Sequence, residues 1–127
     1  MSTPLLKESS QKVIGCFYKV YNTLGFGFSE KVYENALAIE LTKAGFNAVQ
    51  QKPIKVFYEN QIVGDYYADI IVDDCLLLEL KVSTNITPEF EAQIMNYLKA
   101  TKIEVGYILN FGFQPQFLRR IFTNDKK

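Results

Sequence analysis

Asp69, Glu79 and Lys81 lie in a stretch, Asp65 to Val82, that reads DYYADIIVDDCLLLELKV. Glu79 and Lys81 are the only charges between Cys75 and Val82, and their i, i+2 spacing puts both on one face of a strand. Ionised groups are rare in such apolar surroundings unless they pair or bind a metal, because desolvating them is costly. Two acids and a lysine on a rigid sheet suit a divalent cation and the activation of water. The same residues also read as an ion pair on a wetter sheet face, with Asp69 capping a turn.

Register separates these readings. A two-residue turn at Asp73-Asp74 pairs Asp69 with Leu78 and points it away from Glu79. A three-residue connection or a bulge across Asp73 to Cys75 makes Asp69 and Glu79 direct neighbours on one face. The metal-site reading requires the second arrangement.

Composition narrows the chemistry. The 127 residues include no histidine, which removes Ser–His and Cys–His nucleophilic machinery and most zinc sites. Hydrolysis would run on carboxylates, lysine and a hard metal held by oxygen. Two cysteines make no disulfide framework; Cys16 and Cys75 are expected as buried free thiols. Lys+Arg and Asp+Glu balance at 14 each, whereas a strong nonspecific nucleic-acid binder usually carries a basic excess. The apolar runs are far short of a membrane span. MSTPLLKESS has neither the basic region nor the apolar core of a secretory signal, so a cytoplasmic location is expected.

Residues 5 to about 24 form a first helix, on the recurrence of Leu6, Val13, Phe17, Val20, Tyr21 and Leu24. Gly25-Phe26-Gly27 ends it, and Ser29 caps a second helix to about Ala44 with Val32, Tyr33, Ala36, Leu37, Ala38 and Leu41 on its buried side. Gln50 to Asn60 alternates as a strand, with Pro53 marking an edge or strand start. Asn60-Gln61 turns into a second strand, Ile62 to Val72. Cys75 to Val82 is a third strand, buried on both sides. Thr87-Pro88 opens a third helix to about Thr101 with Phe90, Ile94, Tyr97 and Leu98 inward. Val105 to Leu109 is a further strand, and Phe117 to Phe122 adds a last strand or short helix. The order ααβββαβ(β) implies an α/β fold, a mixed sheet flanked by helices, in one domain over 1–127 with its core at about 25–122.

Asp69…Glu79-Leu80-Lys81, in this element order, resembles the PD-(D/E)xK nuclease core, with Ala68 where that motif has proline. Gln93-Ile94-Met95-Asn96-Tyr97 resembles the QxxxY element of the RecB-type branch. Gly27-Phe28-Ser29-Glu30-Lys31-Val32-Tyr33 is similar to the motif of the GxxExxY proteins. The resemblance implies that Asp69 and Glu79 hold Mg²⁺ or Mn²⁺, with the Leu80 carbonyl and water completing the shell. It implies that Glu30 supplies a further ligand or orients the attacking water, and that Lys81 positions that water or stabilises developing charge. Gln93 and Tyr97, one helical turn apart, brace the site or touch a phosphate; Tyr33 is a supporting residue. Both tyrosines also suit plain core packing, and an acid such as Glu30 suits any helix N-terminus. Glu34, Glu40 and Glu91 read as solvated or paired. The implied activity is metal-dependent hydrolysis of phosphodiesters, in DNA rather than RNA. The alternative is a nuclease fold with weak or no catalysis, acting through protein or nucleic-acid binding. A homodimer built on Phe111, Phe113 or Phe117 is a further expectation by analogy.

Overall fold

The computed structural model describes residues 6–127. Two helices, α1 (Lys7–Leu24) and α2 (Glu30–Lys43), precede three strands, β1 (Ala48–Tyr58), β2 (Gln61–Val72) and β3 (Leu76–Lys81). Helix α3 (Pro88–Lys99), β4 (Val105–Phe111) and β5 (Pro115–Ile121) follow. The start expected for the first helix, residue 5, lies outside the described residues. The five strands lie in the sheet in chain order. Neighbours run antiparallel except β3 and β4, which are parallel because α3 carries the chain back across the sheet between them. The optional last element is a full strand, and the expected α/β mixed sheet flanked by helices is what the chain forms.

The central strands of the sheet are buried on both faces. Ile70, Val72, Leu76, Leu78, Leu80, Val105 and Leu109 pack with Val13, Phe17 and Val20 of α1 and Tyr33, Leu37 and Leu41 of α2. Ile71, Leu77 and Ile108 pack on the other side with Ile94, Tyr97 and Leu98 of α3. This sandwiching explains the unbroken LLLELK run of β3, whose Glu79 is only 3% exposed. Thr87 caps α3 as expected, its hydroxyl accepting the Phe90 N–H at 3.3 Å. Ser29 occupies the N-cap position of α2 without a side-chain capping bond.

Several expectations need correction. Val32 is exposed, because the buried stripe of α2 runs through Tyr33, Leu37 and Leu41. Cys16 and Cys75 are free but only half-buried. Phe111 is fully buried, edge-on to Phe17 and stacked on Tyr33, so only Phe113 and Phe117 of the proposed contact aromatics reach the surface. The β1–β2 turn falls at Glu59-Asn60, one residue earlier than expected, with φ of 48° and 67°. Two positive-φ residues match the twist of a tight hairpin.

Candidate active site

The β2–β3 connection contains three residues, Asp73 to Cys75, between the pair Val72 and Leu76. Asp73 and Asp74 both take positive φ, 51° and 54°, which short polar side chains tolerate. Backbone pairing continues through Ile71–Leu77 to Ile70–Leu78 and then stops. The next step sets Asp69 beside Glu79, and there side chains replace the ladder. Glu79 Oε2 accepts the Asp69 N–H at 3.0 Å, while Asp69 Oδ2 accepts the Leu80 N–H at 2.8 Å. Each acid is thus fixed by the backbone of the opposite strand.

The edge strand bends at the same level. Gln51, between the pairs Gln50–Ile70 and Lys52–Ala68, has φ of 54°. Face alternation in β2 skips there: Ala68 and Ile71 both pack on the α3 side, whereas Ile70 and Val72 pack on the other. Glu34 anchors the bend from α2, although it is only 2% exposed. Its oxygens accept Gln50 Nε2 at 2.8 Å, Gln51 Nε2 at 2.9 Å and Lys31 Nζ at 3.3 Å. Gln51 Nε2 also reaches Asp69 Oδ1 at 3.4 Å. Sequence reasoning left Glu34 outside the site and overlooked Gln51. The available signal for Glu34 was its i, i+4 relation to Glu30 on one helix face.

Lys81 emerges from β3 on the Glu79 side. Its ammonium donates to Gln93 Oε1 at 2.7 Å and lies 4.7 Å from the centre of the Phe90 ring. Gln93 Nε2 in turn donates to the Tyr97 hydroxyl at 3.0 Å. The i, i+4 spacing of Gln93 and Tyr97 on α3 therefore builds a rail that aims Lys81. Tyr33 works differently. Its hydroxyl accepts the Phe28 N–H at 3.2 Å and donates to the Gly25 carbonyl, so it shapes the loop that delivers Glu30. Beyond Lys81, buried Asn110 of β4 holds Ser83, accepting its N–H and donating to its carbonyl, each at 3.0 Å.

Asp69, Glu79, Glu30 and Lys81 share one electrostatic neighbourhood. Burial first, then the Asp69 charge, pushes the Glu79 carboxyl up to about 8, against the Asp69 N–H and Lys81. Asp69 also lies above its ordinary value, chiefly through burial, with the Leu80 N–H opposing and Glu34 adding to the rise. Glu30 is exposed, yet desolvation at its carboxyl, then the Asp69 charge, lifts it while Lys81 opposes. Such crowding of acids is what a bound cation would relieve.

The donor chemistry fits a hard divalent cation: every candidate ligand is a carboxylate or carbonyl oxygen. Among the described residues, Glu79 Oε1 receives no hydrogen bond. No three Asp, Glu, Cys or His side chains among them converge as a ready-made cage. The acid pair would supply only part of a shell, with water or substrate oxygen completing it, a common arrangement for Mg²⁺.

The family model of the PD-(D/E)XK nuclease superfamily matches residues 7–121. The chain belongs to this superfamily. Its fold is similar to that in the crystal structure of SSO0001, with a TM-score of 0.57 at 17% identity. The alignment covers 98% of this chain and 63% of that one, so the chain spans less than two thirds of its structural relative. No curated protein sequence matches it. Nucleases of this superfamily generally use divalent metals. Among the described residues, no helix is long and apolar enough to cross a membrane.

Proposed function

We propose that the chain is a metal-dependent nuclease hydrolysing phosphodiester bonds, with DNA as its substrate. The observation that carries this reading is the interlocked acid pair: Asp69 and Glu79, each bonded to the opposite strand's backbone, beside a lysine held on the same face. Asp69 and Glu79 would hold Mg²⁺ or Mn²⁺, with Glu30 as a further oxygen donor at the rim. When bound, the cation would offset charge developing on the phosphate and lower the pKa of water. Lys81 keeps donors free beyond the one given to Gln93, so its ammonium can meet the phosphate or the attacking water. Gln93 and Tyr97 fix that ammonium in place. Within the superfamily, the Gly27–Tyr33 and Gln93–Tyr97 motifs support placing the chain with the GxxExxY proteins and in the RecB-type branch.

A nicking assay on supercoiled plasmid with Mg²⁺ or Mn²⁺ tests this. Wild type is expected to cut, and Lys81→Met or Glu79→Gln to lose about 10²-fold or more in rate. Equal cutting by the variants would reject the assigned roles. Among the described residues no three acids form a ready-made cage, which also favours a second reading, a nuclease fold that binds without cutting. Metal-independent nucleic-acid binding with no cleavage by wild type is its signature.

A further inference from the structure

Beyond the bend at Gln51 and Asp69, β1 and β2 leave the sheet as a two-stranded ribbon. β3 pairs with β2 only from Ile70 to Val72, so residues 52 to 68 have no third strand beside them. Six large side chains on this ribbon, Phe57, Tyr58, Ile62, Val63, Tyr66 and Tyr67, are between 42% and 66% exposed. They divide between its two faces, Tyr66 and Tyr58 on the α3 side and Phe57, Ile62 and Tyr67 on the other; exposed apolar side chains so grouped mark a contact site. Two observations indicate what it contacts.

The ribbon is continuous with the candidate active site. The Tyr66 ring lies 5.4 Å from the ring of Tyr97, whose hydroxyl accepts from the glutamine that holds Lys81. Tyr66 is also preset by its neighbour: a Cβ at Gly64 would come within 3.1 Å of Tyr66 Cε2, so the bare glycine gives the ring its seat. Charge supplies the second observation. Within residues 52 to 68 the cations are Lys52 and Lys55, paired with Asp74 at 3.0 Å and Asp65 at 3.6 Å, and Glu59 adds a further negative charge. The ribbon therefore offers π-faces rather than phosphate attraction, whereas binding to a duplex backbone is dominated by cations.

We propose that the ribbon is a stacking platform for unpaired bases flanking the phosphodiester that the site would cut, so that the preferred substrate is single-stranded or locally unpaired nucleic acid. The proposal deepens the nuclease reading and rests on it. Aromatic faces accept any base, so recognition is by strandedness rather than by sequence. Tyr66, beside Tyr97, takes the base nearest the reacting phosphate; Tyr58, on the same face of the ribbon, extends the platform outward.

Binding is separable from cleavage. The test is fluorescence-anisotropy titration of the 127-residue chain with labelled oligo-dT and with a mixed-sequence duplex, in EDTA so that nothing is cut. The chain has no tryptophan, so quenching of tyrosine emission gives a second readout of stacking. Single strands are expected to bind more tightly than duplex. Tyr66→Ala should weaken single-strand binding by roughly tenfold or more while Tyr66→Phe retains it, and Gly64→Val should reproduce the loss by unseating the ring. Equal or tighter duplex binding, or a Tyr66→Ala variant that binds as wild type, overturns the proposal. So does a wild-type dimer in light scattering that Tyr66→Ala or Phe57→Asp dissolves, which would make the ribbon a protein interface. Ribbon-dependent binding without cleavage on adding Mg²⁺ would keep the platform and remove the proposed chemistry.

Discussion

Glu79 sits almost wholly out of water beside a second acid, and its carboxyl rises to about 8 from an ordinary 4.5. In the unfolded chain it ionises near its ordinary value, so between these two pH values the folded state binds the extra proton. Metal-free stability therefore falls as pH rises through that window, on the order of 5 kcal/mol in all. Urea unfolding in EDTA at pH 5 and pH 8 should show this slope for wild type and a much flatter one for Glu79→Gln. A variant as pH-sensitive as wild type would place the liability elsewhere. Glu34 shows the contrasting solution. Equally buried, it is satisfied by two glutamine amides and a lysine.

At the level of elements, the site depends on where strands part and where loops close. Gly112, just past β4, is packed so tightly that an added Cβ would lie 2.2 Å from the Ser83 carbonyl oxygen. That carbonyl also accepts from Asn110, and Ser83 follows Lys81 by two residues. Gly112→Ala must displace the segment that carries Lys81; it should destabilise the fold by a few kcal/mol and reduce cleavage together with stability. A variant with wild-type melting and activity would show that this loop yields freely. Much of this level was legible in the sequence. The odd connection at Asp73 to Cys75 follows from requiring Asp69 and Glu79 to meet, and the apolar run of β3 announces a central strand. The bend at Gln51 was hidden, because a single positive-φ residue inside an alternating strand leaves the pattern on either side intact. The burial of Phe111 was hidden too, since an aromatic at a strand's end reads equally as a core or a surface residue until helices α1 and α2 are seen to cover it.

Over the whole molecule, zero net charge and a nuclease fold pull in different directions, and the arrangement of surfaces reconciles them. Acids concentrate at one end of the β2–β3 hairpin, where a cation would invert their effect on a phosphate; aromatic side chains, not lysines, line the ribbon beside them. The most direct test of this account is calorimetric titration of Mg²⁺ and Mn²⁺ into wild type and Asp69→Ala/Glu79→Ala at pH 7, in two buffers of different ionisation enthalpy. Because Glu79 is raised to about 8, binding by wild type should release about one proton, and the double variant should show neither binding nor release. Absence of binding at millimolar metal, or binding that survives the double substitution, would contradict the metal site on which the proposed chemistry stands.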